Sequence, residues 1–369
     1  VSSVVVLATA VALVVPASAA MNSTAWKGKL DKEVPAALKK GDLPGAIVGV
    51  WQDGKRVYLK AFGVSDTKTK APVDTDSHVR IGSLTKAFTV MGILQLAAAG
   101  KLSLDDPVGK YVDGVPNGDV VTLRQLAEMR SGLGDYSGEV TPFLYQHPDK
   151  AYTAQELLDI AFKLPIRFEP GAEFDYNNTN TTLLGVVLEK VSGVSRAEYV
   201  EEHITGPLGL KNTSVPTSGA IPKPHGRGYG NWNPDEKIED ETDWNPSWGN
   251  AAGDMISTVD DIGVFARALG TGKLITHQMR AERDKGLAAS TEGVGTLYGL
   301  AYEIHPSGWQ GHNGRIAGWT TYPYHLPERD LTIVVSLNTS ANVLAGWKLY
   351  QQVVATVAPD RPFPDPPTE

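Results

Sequence analysis

Three observations predict an α+β fold. Strand-like runs sit near both ends of the chain, helix-like runs fill its middle, and one middle segment, Arg80 to Gly100, is apolar on nearly every face. Strands contributed from both termini make an antiparallel sheet flanked by helices, with a mostly helical lobe inserted between them. On this reading residues 21–75 and 255–358 form the sheet region and 76–254 the helical region. Residues 359–369, with five prolines, form a disordered tail.

Each element has a local reason. Residues 27–40 have the periodicity of a short amphipathic helix. Residues 46–51 and 57–63 are strand-like and joined around Asp53-Gly54, a strong hairpin signal. The polar run 65–70 reads as a loop. The apolar helix then runs to Gly100, a suitable C-terminal stop. Residues 101–121 are a connector broken by Asp106-Pro107, Val115-Pro116 and Asn117-Gly118, and 122–129 begin a short helix. A turn-rich loop covers 131–136. Helices at 153–163 and 195–204 carry capping boxes, Thr153 to Glu156 and Ser195 to Glu198. Between them, Glu169, Pro170 and Gly171 make a tight turn ahead of Tyr176, and 181–192 is helical up to Gly193. Residues 207–250 are irregular. A helix at 257–269 carries Asp260 and Asp261 in its first turn. Strand-like runs follow at 299–304, 309–312, 319–326 and 331–337, and 343–357 is a closing helix. There is no internal repeat.

The chain of 369 residues is long enough for a large core. A net charge of −8 without a basic run argues against a nucleic-acid partner. The absence of cysteine excludes disulfides, a thiol nucleophile and thiolate metal sites. Eight scattered histidines without a His-Glu-x-x-His motif give no metal site. Walker and Rossmann fingerprints are absent, so no cofactor is expected. Residues 4–15 are almost wholly apolar and precede Pro16 and Ala17-Ser18-Ala19. That pattern reads as a signal peptide over residues 1–19, with its basic flank expected upstream of Val1. The run is too short to span a bilayer. A secreted, extracytoplasmic monomer without a stable membrane span is therefore expected.

The chemistry begins at Ser83. It sits near the first turn of the apolar helix, and Lys86 lies three residues on, where hydroxyl and amine share a helix face. First-turn N–H groups and the positive end of the helix dipole favour negative charge at that position. Ser is also a common N-cap, and a second Ser-x-x-Lys, Ser65 to Lys68, lies in the polar loop. Partners must therefore distinguish the two copies. Tyr176-Asn177-Asn178 follows a turn and precedes a helix, where a Tyr can relay a proton and Asn178 can orient Lys86 or a substrate amide. A packed Tyr with an Asn cap would look the same. His312-Asn313-Gly314 lies at a strand end. There a His can bond into a cleft and Gly314 can admit a substrate backbone. Any lone His in that place is more often a strand-end residue. The α/β-hydrolase elbow Gly-x-Ser-x-Gly is absent.

In this order and setting, the three motifs resemble the serine β-lactamase and D-Ala-D-Ala carboxypeptidase superfamily. The nearest branch holds class C β-lactamases, Streptomyces-type carboxypeptidases, D-aminopeptidases and related esterases. The resemblance covers most of the mature chain and implies a β-lactamase/transpeptidase-like fold. It implies Ser83 as the acylated nucleophile and Lys86 as its base, with burial lowering the lysine pKa. Tyr176 would shuttle a proton to the leaving group, Asn178 would position, and His312 would support the Tyr and the substrate. The N–H groups of Ser83 and Arg315 would form the oxyanion hole.

The sequence departs from the family pattern at its substrate end. His312-Asn313-Gly314 stands where most β-lactamases carry Lys-Thr-Gly. Glu303 and Asn313 stand where Streptomyces-type carboxypeptidases hold the substrate carboxylate with Arg and Thr. An acid there repels a carboxylate and can instead hold an amine, while Arg315 is the candidate substitute cation. The expected activity is that of an exported serine hydrolase, D-Ala-D-Ala carboxypeptidase-like, acting on a small molecule or a peptidoglycan peptide. An esterase, a D-aminopeptidase, or a penicillin-binding sensor without turnover are the alternatives.

Overall fold

The structure, a computed structural model, describes residues 25–233, 235–288 and 295–366. The signal-peptide expectation over 1–19 lies outside these residues. Strands β1 (Gly45–Gln52) and β2 (Lys55–Gly63) pair antiparallel, and Asp53 and Gly54 take φ values of 52° and 71°. Two successive positive φ values are what a two-residue hairpin loop requires. β1 pairs next with Leu331–Leu337, and that strand with Trp319–Leu326. Beyond lie Gln310–Gly311, Glu303–Ile304, Leu297–Tyr298 and Leu287–Ala288, all antiparallel. Gly314–Ile316 also pairs with Trp319–Leu326. The sheet thus takes its strands from both ends of the chain.

Its central strands are buried along their whole length because both faces are covered. Helix α1 (Ala25–Lys40) and the closing helix Val343–Val357 cover one face, where Leu30, Val34, Tyr350 and Val354 join Val50, Tyr324 and Ile333 in one core. Helix Val259–Thr271 covers the other, and its Phe265 stacks on Phe88 with ring centroids 3.6 Å apart. Phe88 belongs to helix α2 (Thr85–Ala98), the predicted apolar helix, whose residues 85–94 are all buried. The chain leaves for the helical part at Val79–Arg80 and returns at Ile256–Ser257, and these two short strands pair with each other. Among the described residues no helix is long and apolar enough to cross a membrane.

Four expectations change. The run 299–304 is not one strand but the second half of a hairpin, Leu297–Tyr298 against Glu303–Ile304. Ala301 at its turn has φ 49°, a conformation its sequence does not advertise. The helix placed at 195–204 is α-helical only over Arg196–Val200 and widens to a π-helical turn at Glu201–Thr205. The helix placed at 181–192 starts at Asn178, because the Asn177 side chain caps it by accepting from Thr179 N at 2.8 Å. The tail is ordered through residue 366. Phe363 is buried, and the Trp309 and Trp347 indoles donate to the Arg361 and Pro364 carbonyls, each at 2.9 Å. Buried indole N–H groups need acceptors, and proline-stiffened backbone loses little entropy in supplying them.

Candidate active site

Ser83 lies in the 3₁₀ turn Gly82–Leu84 that leads into α2, half-buried at the floor of a cleft of about 150 Å³. Two glycines bring this turn onto the strand Gly314–Ile316. A methyl group at Gly82 would sit 2.6 Å from the Arg315 nitrogen, and one at Gly314 would sit 1.9 Å from the Ile81 carbonyl. Neither position has room for a side chain. Gly314 therefore admits the Ser83 turn, not a substrate backbone, which corrects the expectation from sequence. Ile316 pairs with Trp319 across a two-residue turn, so the next pair along, Arg315 with Thr320, is of the kind that exchanges no ladder bonds. The Arg315 N–H then faces away from Trp319–Leu326 and toward the Ser83 turn. The Arg315 backbone thus lies against the turn that carries Ser83.

Lys86 is fully buried. Its Nζ lies 3.3 Å from Ser83 Oγ, 2.6 Å from Asn178 Oδ1 and 3.0 Å from the Ala252 carbonyl oxygen. A neutral amine has two N–H groups and one lone pair. With the amide oxygen and the carbonyl taking the N–H groups, the lone pair is left for the Ser83 hydroxyl proton. Asn178 is itself fixed, because its Nδ2 donates to Ser137 Oγ at 2.6 Å and faces Asp135 Oδ2 at 3.4 Å. Asp135 in turn accepts from the Ser137 hydroxyl at 2.8 Å. Ala252 is held along α2 by its neighbours, since Thr89 Oγ1 donates to Ala251 O at 2.8 Å and Met255 N donates to Thr85 Oγ1 at 3.2 Å. Beneath it, Asp254 and Arg196 form a buried ion pair.

Tyr176 lines the same cleft, with Lys86 Nζ 4.7 Å from its ring centroid. Its ring packs edge-on to Tyr298 at 6.2 Å and lies 6.0 Å from the His312 ring. His312 is fully buried and does not line the cleft. Its Nε2 is 2.9 Å from Tyr298 Oη and its Nδ1 is 2.6 Å from the carbonyl of Asn313. Burial and the nearby Lys86 push its pKa below the ordinary histidine value against the pull of Glu303. His312 thus supports Tyr176 by packing and does not reach a substrate in the cleft.

Glu303 is not a substrate residue either. It is 1% exposed, its carboxylate accepts from Tyr324 Oη at 2.5 Å, and it stands 3.9 Å behind His312 Nδ1. The hairpin turn at 299–302 explains the difference, because it sets Glu303 opposite Tyr298 and Gly311 in the sheet interior. Asn313 is half-buried and also lies outside the cleft lining. Arg315 does line the cleft. Its Nε donates to the Ser340 carbonyl at 2.8 Å and its guanidinium lies over the Trp232 ring, 5.5 Å from the centroid. Among the described lining residues it is the one charged side chain.

Sequence reading missed Asp135, Ser137, Ala252, Trp232 and Trp248. Asp135 lies in the turn-rich loop that carries Ser131-Gly132-Leu133, so its proximity was half visible. Trp232 and Trp248, edge to face at 5.1 Å, come from the irregular stretch and had no signal. Arg80 anchors that stretch. It is buried, stacks 5.4 Å from the Trp319 ring and donates to the carbonyls of Gly219, Thr242 and Trp244.

The Beta-lactamase family model matches residues 30–354. Protein flp of Staphylococcus aureus (strain MW2) is 31% identical over 209 residues, 54% of this chain and 41% of that protein. Penicillin-binding protein 4* of Bacillus subtilis (strain 168) is 34% identical over 166 residues, 44% of this chain and 36% of that protein. The chain thus matches well under half the length of these curated relatives. A D-stereospecific amidohydrolase from Streptomyces sp. superposes with a TM-score of 0.76 at 30% identity, covering 83% of this chain and 94% of that one. The D-amino acid amidase of Ochrobactrum anthropi SV3, complexed with D-phenylalanine, superposes with a TM-score of 0.80 at 27% identity, covering 90% and 100%. The family match spans most of the chain, and the chain belongs to the beta-lactamase family, with the fold shared by serine β-lactamases and penicillin-binding proteins.

Proposed function

We propose that this hydrolase cleaves an amide, peptide or ester bond through an acyl-enzyme on Ser83. The observation that carries the reading is Lys86 Nζ, buried and held by Asn178 and Ala252 with Ser83 Oγ at 3.3 Å. Lys86 takes the hydroxyl proton as Oγ attacks the carbonyl carbon. The oxyanion is received by the N–H groups of Ser83 and Arg315, each such donor being worth about 2.7–4 kcal/mol in the transition state. Tyr176, beside Lys86, returns the proton to the leaving group, and water then releases the acyl group. No metal or cofactor enters this scheme.

The finer reading is carboxypeptidase-like, with Arg315 receiving the terminal carboxylate of a peptide. A second reading, hydrolysis of D-aminoacyl amides, is supported by the printed names of the amidohydrolase and amidase neighbours. The test is a fluorophosphonate probe together with a turnover panel: a nitrophenyl ester, a D-Ala-D-Ala peptide, a D-amino-acid amide and a chromogenic cephalosporin. The expected result is label and turnover that both disappear in Ser83→Ala. No label on the parent overturns the acyl-enzyme, and a stable label without turnover makes it a sensor. A preference for the amide over the peptide replaces the finer reading with the second.

A further inference from the structure

Behind the cleft lies a buried chain of polar groups that the acyl-transfer scheme does not use. Tyr298 pairs with Glu303, Glu303 with Gly311, and Gly311 with Tyr324, so four strands place these residues in one row. Directly opposed residues in antiparallel strands share a face. Gly311 is the gap in the row. A methyl group there would lie 2.4 Å from Pro323 O and 2.9 Å from the Tyr324 ring, so only a glycine lets Glu303 reach across to Tyr324 Oη. On one side of the carboxylate, His305 Nε2 lies 3.5 Å from Oε2, and Thr296 Oγ1 lies 3.1 Å from His305 Nδ1. On the other side, Oε1 lies 3.9 Å from His312 Nδ1. Phe363 closes the arrangement from outside, packed 4.7 Å from both the His305 and Tyr324 rings.

The proton on His312 follows from these contacts. Nδ1 faces a carbonyl oxygen at 2.6 Å and a carboxylate oxygen at 3.9 Å. Both can only accept, so Nδ1 carries hydrogen. In the neutral ring Nε2 is then a lone pair, and the Tyr298 hydroxyl donates to it at 2.9 Å. Tyr298 in turn packs edge-on against the cleft-lining Tyr176.

We infer that Glu303 is a positioning residue: its carboxylate backs the Nδ1–H of His312, whose tautomer the Asn313 carbonyl fixes, and, through Tyr298, it sets the orientation of the Tyr176 ring in the cleft. The titratable groups facing His312 are Glu303 and Tyr298 from the neighbouring hairpin, Tyr176 from the loop before Asn178, and Lys86 from α2, with His305 and Tyr324 behind Glu303. Of these Glu303 alone draws the imidazole toward its charged form, while Lys86 opposes it. Removing the Glu303 charge therefore moves His312 protonation to lower pH.

The test compares the parent with Glu303→Gln, and with Tyr324→Phe, which removes a hydrogen bond from Glu303 but leaves its charge. ¹⁵N-histidine NMR reads the His312 tautomer and its titration, and kinetics reads kcat and KM over pH. The expected parent spectrum shows protonated Nδ1 and unprotonated Nε2. In Glu303→Gln the His312 titration and the acid limb of kcat both move to lower pH. There kcat falls about tenfold or more with KM little changed, because a displaced Tyr176 ring slows proton return to the leaving group without altering substrate contacts. Tyr324→Phe keeps the parent titration. A His312 protonated on Nε2 in the parent, or an unchanged titration in folded Glu303→Gln, overturns the inference. The kinetic part rests on the acyl-enzyme reading. The NMR part does not, so a protein that fails to label at Ser83 still decides the role of Glu303.

Discussion

Lys86 meets three oxygen atoms, and the identity of one of them decides how easily it can act as a base. Asn178 supplies a neutral amide oxygen at 2.6 Å. A carboxylate in the same place would favour the ammonium form and raise the lysine pKa. Asn178→Asp is therefore expected to lower acylation at neutral pH by about tenfold or more. The rising limb of the rate should move to higher pH, which a stopped-flow pH profile measures, and an unchanged profile would remove Lys86 from the role of base. The spacing of Ser83 and Lys86 was legible in the sequence because three residues on a helix is a local distance. The acceptor that fixes Asn178, Ser137, was not legible, because it lies 41 residues away and meets the amide only in the folded chain.

At the scale of elements, the site depends on a turn and a strand approaching more closely than side chains permit. Gly82 lies against the Arg315 backbone, and Gly314 against Ile81 and Leu84 on either side of it. Gly314→Ala would drive its methyl group against the Ile81 carbonyl and separate the Ser83 and Arg315 donors. The expected loss is about a hundredfold or more in kcat, the order associated with removing one oxyanion donor. Retained turnover in a variant whose near-UV circular dichroism matches the parent would sink the assignment of the donor pair. The helices were largely legible in the sequence because their capping residues are local, as the Thr153 and Ser195 boxes show. The hairpin at 297–304 was not. Its turn relies on a left-handed Ala301, which the surrounding contacts impose, including Ala301 N donating to the Ala127 carbonyl at 3.0 Å. The family resemblance placed Glu303 at the substrate end, and this turn carries it into the sheet interior instead.

For the whole molecule, the first and last described segments meet on one face of the sheet. Helix α1, the closing helix and residues up to 366 complete one core there, and the chain between 82 and 253 carries most of the cleft on the other face. Phe363 contacts Tyr324, Trp347, Tyr350 and His305. Phe363→Ala is expected to cost about 3–5 kcal/mol by loss of burial and the cavity left behind. A denaturant titration measures this, and a change below about 1 kcal/mol would show that the tail does not belong to the core. Proline content alone marked this segment as disordered. The acceptors it offers to two buried indoles outweigh that signal, and they can be seen only once Trp309 and Trp347 are brought together.

What the sequence determined by itself was the fold class, the buried helix under Ser83, and the residue types able to perform acyl transfer. Those features rest on periodicity, capping and short spacings, all of them local. The tertiary structure alone decided which residues face the cleft. It turned Arg315 and Trp232 into the cleft and withdrew Glu303 and His312 behind it, and it assigned Gly314 to the Ser83 turn. These outcomes depend on strand register and on close backbone approach between segments far apart in the chain, which no local pattern encodes.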